Sequence, residues 1–321
     1  MFQSFRHHHP RQYPAPGNET THYQIFRERF TDVVTNNLQT SPTFTVGINK
    51  FSDWAPYELE VLRSNRPPSS TARTKLIAMH SFGTQQTSSS SKRTNAPTST
   101  TSTTFDYTTR VSALNSSTHI IGPLRDQGQC GSCYGFAIIA LFEAQYAFHY
   151  GLPVNMSDQQ IVDCSTHDYG CIGGYFDTSF DYVKSYDWYI DSNLTYPYKG
   201  VASTCSAKKS GGYSIGNLIY RHLTQGNASA MQDTLVNYSP LWMPLFEPNA
   251  ANKIMTTFQS YTDDIFQASG CTTSANNNNH AMVIEDSWGD EWGENSYVRI
   301  ARGVNMCNVE SDAFLTAKPA S

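Results

Sequence analysis

Apolar positions along the chain change their spacing several times, and each spacing predicts a different kind of segment. Residues 1–20 are polar, rich in His and Pro, and without apolar periodicity, which predicts a disordered start. From Thr21 a helical pattern opens. Tyr23, Phe26, Phe30, Val33 and Val34 recur at three- and four-residue steps as one apolar stripe. Thr21 and Gln24 have the spacing of a capping box. Phe44-Thr45-Val46 alternates like a short strand, Gly47 to Asp53 turns the chain, and Pro56–Leu62 predicts a short helix. This front unit, residues 21–84, has little core of its own. Residues 85–104 are dominated by Ser and Thr and predict a flexible linker open to proteolysis.

Residues 105–321 form the large unit. An apolar run from Cys133 to Tyr150 ends at Gly151. As a helix it spans about 27 Å. It is apolar on most faces, so it predicts a buried central helix. Glu143, Gln145 and His149 oppose a membrane span, and no run of 18 apolar residues occurs. Ser157 and Gln160 form a second capping-box pair. After about Tyr213 the pattern breaks into short β-like pieces, so the unit reads as helices first and strands later, an α+β arrangement.

Composition narrows the function. The chain has 321 residues and a formal charge of −5, which leaves no general basic surface for phosphates; nucleic acid is excluded as the main partner. Charged residues are 15%, below the ~25% of ordinary globular chains, with Ser, Thr and Asn in their place. Seven cysteines predict three disulfides and one remaining thiol in an oxidising compartment. Sequons at Asn18, Asn115, Asn155, Asn193, Asn227 and Asn237 add mild weight to a secretory route. The N-terminal residues have no apolar stretch of the signal-peptide kind.

The candidate chemistry lies in Gln127-Gly-Gln-Cys130-Gly-Ser-Cys133. A Cys-x-x-Cys is half a zinc site, a redox dithiol, or a nucleophile beside a structural disulfide. Zinc wants a second pair at similar spacing, and Cys164 and Cys171 are seven apart. A thioredoxin-like dithiol follows a strand in a βαβ pattern, and none precedes it here. The third reading has a physical advantage: Cys133 begins the long helix, whose N-terminal amides and dipole favour a thiolate.

The residues around Cys133 resemble the nucleophile motif of papain-like cysteine proteases. The resemblance runs on through Ser157 to Cys164, Gly170-Cys171-Ile172-Gly173-Gly174, Tyr196-Pro-Tyr198-Lys-Gly200, Asn279-His280-Ala281, Ser287 to Glu294, and Tyr297 to Ile300. Gly47 to Asp53 is similar to the turn of the family's inhibitory propeptide, with Phe26, Val33 and Asn36 in register in the helix before it. Arg29 stands where the family usually has Asn.

The resemblance implies a two-lobed α+β papain-like fold, a helical left lobe and a β-rich right lobe, behind a mainly helical propeptide. It implies a cysteine endopeptidase precursor acting on peptides or proteins, held by its own propeptide, monomeric, and without metal or cofactor. The compartment implied is lysosomal, vacuolar or extracellular. Cys133 is then the nucleophile, His280 its acid–base partner, and Gln127 an oxyanion donor. Asp286 takes the place of the Asn that orients the histidine. Gly173 and Gly174 let substrate backbone approach, and Trp288 flanks the site. The disulfides implied are Cys130–Cys171, Cys164–Cys205 and Cys271–Cys307. One departure bears on mechanism. The family has a strand, a hairpin and a returning strand between its His and its Asn, whereas only residues 281–285 separate His280 from Asp286 here. Two other readings follow: a papain-like protein that binds peptides without cutting them, and a disulfide-exchange protein using Cys130 and Cys133.

Overall fold

A computed structural model describes residues 1–11, 13, 18–39, 43–62, 105–223, 227–244, 252–267 and 281–319. The linker, the end of the propeptide, Cys271 and His280 lie outside the described residues. The chain divides into two compact units. One is residues 1–63, 124–126 and 246–307; the other is residues 64–123, 127–245 and 308–321.

The first unit begins with helix α1 (Phe2–His8), where disorder was expected. Phe2 and Phe5 are buried against Phe26, at ring distances of 5.2 and 4.8 Å. Helix α2 (Asn18–Asn37) begins three residues before the expected Thr21 start, and its buried stripe is His22, Phe26, Arg29 and Val33. Tyr23 and Val34, assigned to the stripe from spacing, are exposed. Strand β1 (Phe44–Val46) and helix α3 (Pro56–Val61) form where the pattern placed them. Asn37 ties α2 to β1: its side chain donates to Val46 O at 2.7 Å and accepts from Val46 N.

The second unit is built around the long helix, α3's successor α4 (Cys133–Tyr150), closed by Gly151 in the left-handed conformation. Its apolar faces pack against α5 (Asp158–Cys164) and α6 (Phe176–Ser185), in a core of Tyr134, Ile138, Ile139, Phe142, Phe176 and Phe180. The polar residues of α4 each hold another segment: Glu143 accepts from Met156 N at 2.7 Å, and Gln145 donates to Thr316 O at 2.7 Å. Ser157 caps α5 by accepting from Gln160 N. The Gln160 side chain does not complete a box; it binds Asp191 N and Tyr182 Oη.

Strands β2 (Tyr189–Ile190) and β3 (Tyr213–Ser214) pair with each other, and β4 (Ile219–Leu223) awaits a later partner. Two helices interrupt the region read as short strands: α7 (Ala228–Asn237) and α8 (Asn252–Gln259). The first unit then adds β5 (Tyr261–Phe266), β6 (Ala281–Glu285) and β7 (Tyr297–Ala301), giving a sheet in the order β1-β5-β7-β6. Strand β8 (Ala313–Ala317) pairs antiparallel with β4 in the second unit.

Among the described residues no helix is long and apolar enough to cross a membrane.

Candidate active site

Cys133 is the first residue of α4, and among the described residues it is the cysteine that remains a thiol. Cys130 is bonded to Cys171 and Cys164 to Cys205, as the resemblance implied. Cys307 is also disulfide-bonded. With Cys130 committed to Cys171, a Cys130–Cys133 exchange pair does not exist in this fold, and a zinc site at this pair is excluded with it.

The segment before Cys133 is closely held. Gln127 is fully buried, and its Nε2 donates to Cys130 O at 2.9 Å. Tyr198 clamps the same loop, donating to Gln127 O at 2.8 Å and lying 2.7 Å from Ser132 Oγ. Gly131 N donates to Cys171 O, and Tyr134 Oη to Gly170 O at 3.1 Å. Helix start, disulfide and glycine segment therefore form one braced structure.

Gly173 and Gly174 need to be glycines for different reasons. Gly173 has φ +130°, a region L side chains rarely adopt. At Gly174 a Cβ would meet Asp168 Oδ1 at 2.5 Å and the Tyr134 ring at 2.6 Å. The space beside Gly174 is thus filled from within the protein, a constraint the sequence reading missed.

In the other unit, β6 runs without a break and pairs residue by residue with β7, from Ala281–Ala301 to Glu285–Tyr297. Five extended steps carry the chain from Ala281 to Asp286, about 17 Å at the rise of a strand. Asp286 is tied to Ser296 at the far end: its N–H donates to Ser296 O, and Ser296 Oγ donates to Asp286 O at 2.7 Å. Its carboxylate accepts from Ser287 N at 2.7 Å. Burial pushes the Asp286 carboxyl up to about 7, against the opposing pull of the Ser287 N–H and the Lys50 charge. Trp288 is buried, edge-on to Trp292 at 4.7 Å and to Phe51 at 5.2 Å.

Residues of the front segment bond to this unit as well. β1 pairs antiparallel with β5, Asn49 Nδ2 donates to Gln259 O at 2.6 Å, and Lys50 forms an ion pair with Asp126 at 2.6 Å. Inside the front segment, Asp53 is fully buried and meets Arg11 at 3.3 Å and Tyr13 Oη at 2.5 Å. Arg11 also pairs with Glu58. Sequence periodicity gave no signal for this polar knot.

The papain family cysteine protease model matches residues 104–317, and the cathepsin propeptide inhibitor domain matches residues 2–59. The chain belongs to the papain family of cysteine proteases, with an inhibitor-type propeptide in front. It is 33% identical over 211 residues to the oryzain gamma chain of Oryza sativa subsp. japonica, covering 60% of this chain and 56% of that one. It is 27% identical over 334 residues to the thiol protease aleurain of Arabidopsis thaliana, covering 97% of this chain and 82% of that one. The match thus spans little over half of the first relative and most of the second. In fold it is similar to a digestive procathepsin L2 proteinase from Tenebrio molitor, with a TM-score of 0.77, 24% identity and 98% of each chain covered. The fold is papain-like, and nothing in these relatives supports a peptide binder that does not cut.

Proposed function

We propose that the chain is the precursor of a cysteine endopeptidase, with Cys133 as nucleophile and His280 as its proton partner. The observation that carries this is Cys133 itself, a thiol kept out of the disulfides and set at the first residue of a buried helix. The thiolate attacks the substrate carbonyl carbon. The peptide C–N bond breaks as the imidazolium protonates the leaving amine, and water then hydrolyses the thioester. Gln127 serves the developing oxyanion together with the Cys133 N–H. Its Nε2 donates to Cys130 O, which fixes the amide beside the start of α4. Loss of one oxyanion donor typically costs about 2.7–4 kcal/mol. Gly173 and Gly174 take the extended substrate upstream of the scissile bond, and Trp288 flanks it.

What argues against Asp286 in the orienting role that the motif position implied is the length of β6. A residue bonded to Ala281 starts one Cα step from it, about 3.8 Å, while the strand puts Asp286 about 17 Å away. Side chains of His and Asp do not bridge the difference. The proposal therefore rests on the Cys133–His280 pair.

The disulfides favour folding in an oxidising compartment, which suits a vacuolar, lysosomal or extracellular monomer acting on peptides and proteins. The front segment holds the enzyme latent until the linker is cut. A peptide-like thiol reagent tests both statements. Mass spectrometry is expected to find it on Cys133 alone, and only after cleavage within residues 85–104. Labelling at Cys130, or equal labelling of the uncut chain, would refute the assignment.

A further inference from the structure

Asp168 has so far been given no role, yet its carboxylate is heavily bonded. It is buried and forms no ion pair among the described residues. Four donors converge on it. Oδ2 accepts from Ser165 Oγ at 2.6 Å and from Ser179 Oγ at 2.8 Å. Oδ1 accepts from Tyr175 N at 3.0 Å and from Thr178 Oγ1. Ser165 follows the end of α5, while Tyr175, Thr178 and Ser179 form the start of α6. The site is a carboxylate cradled at a helix N-terminus, with donors and dipole in place of a cation. Burial pushes its carboxyl up, and the three hydroxyls pull it back.

One of these bonds reaches the glycine segment. The N–H of Tyr175 belongs to the same peptide unit as the carbonyl of Gly174. That unit is planar and trans, so its C=O points opposite to its N–H. An N–H fixed on Asp168 therefore turns the Gly174 carbonyl directly away from Asp168. The same oxygen, Oδ1, lies 2.5 Å from where a Gly174 Cβ would stand. Tyr134 closes the rest of that side, its ring 2.6 Å from the same point. Asp168 and Tyr134 thus hold one side of this peptide unit.

We propose that Asp168 is a positioning residue for substrate: it aims the Gly174 carbonyl so that it accepts an N–H from the peptide upstream of the scissile bond. The inference rests on the reading of Gly174 as a substrate contact. Asp168 touches no reacting atom, so its removal acts on binding. The four donors that it satisfies also make it part of the local fold, and the test separates the two roles.

The full chain, matured in place, is compared with Asp168→Ala and Asp168→Asn. Substrates are one peptide and its analogues in which one upstream amide at a time is replaced by an ester, which removes a single N–H. Asp168→Ala is expected to raise KM for the all-amide peptide about tenfold. Its kcat, and the rate at which iodoacetamide alkylates Cys133, stay within about threefold. Asp168→Asn keeps an acceptor for Tyr175 N and restores most of the KM. One ester analogue is expected to be bound equally poorly by wild type and Asp168→Ala, because it lacks the N–H that the carbonyl receives.

The inference is overturned if Asp168→Ala leaves KM unchanged. It is also overturned if KM, kcat and alkylation collapse together, or if the KM penalty is the same for every ester. If wild type itself does not distinguish the esters, the Gly174 reading fails and the inference falls with it. Should Asp168→Ala not fold, Asp168→Ser gives the same comparison, since its short side chain falls short of the Tyr175 N–H.

Discussion

Asp286 and Ser296 show how single positions carry consequences that a motif does not state. The Asp286 carboxyl is pushed up to about 7 by burial, from an ordinary value of 3.8. Between those values the folded chain holds a proton that the unfolded chain has released. Stability therefore falls as pH rises from about 4 to 7 and is greatest below that window. The full shift is moderated by the side chain's partial exposure, and on the order of 2 kcal/mol is expected. Asp286→Asn should flatten the dependence and raise stability at pH 7, as measured by urea denaturation at several pH values. Its kcat should change by less than about threefold, against a loss near 10⁴ for a residue that orients a catalytic histidine. Ser296 stands at φ +66°, a conformation that favours glycine. Its hydroxyl bond to Asp286 O at 2.7 Å offsets the strain of that conformation. Ser296→Gly relieves the strain and loses the bond, whereas Ser296→Ala loses the bond and keeps the strain. The alanine variant is expected to melt lower, by about 1–2 kcal/mol of stability.

At the scale of elements, periodicity located what apolar burial determines. The bounds of α4, the short strand β1, and the start of α5 at Ser157 follow from spacing and capping. Three features escaped for physical reasons. Helix α1 contributes only two buried apolar side chains, Phe2 and Phe5, and what anchors the stretch after it is polar. Arg11 in that stretch meets Asp53 and Glu58, residues more than forty positions away, which no local pattern encodes. Helices α7 and α8 lie in a region whose β-branched and aromatic residues mimic strands. Of the proposed site residues, Cys133, Gln127 and the glycines stand out in the sequence because a motif is local. Asp168 does not, since its role comes from where α6 begins. The Arg11 knot has a measurable weight. Arg11→Ala leaves two carboxylates, one fully buried, without their cation and is expected to cost about 3 kcal/mol in the front segment. Proteolysis of the front segment at a fixed pH should then quicken, while the melting of the matured enzyme stays the same.

At the scale of the molecule, the division into units does not follow the division into inhibitor and peptidase. Residues 1–63 share a compact unit with residues 246–307, and both disulfides described in full lie in the other unit. Among the described residues, strand β1 is the outermost member of the sheet, and its neighbour is β5. Maturation that removes the front segment therefore uncovers the backbone of β5 along that side. A bare strand edge invites pairing with any passing extended chain. Here the uncovered edge carries Asp263 and Asp264, both exposed, with Asp264 at φ +72°, which breaks the regular pleat. Asp263 is paired with Arg299, so the charge and the kink at Asp264 are what disfavour edge-to-edge pairing once the front segment is absent. The price is that the cut segment, once gone, finds a poorer template to return to than the sheet it was folded with.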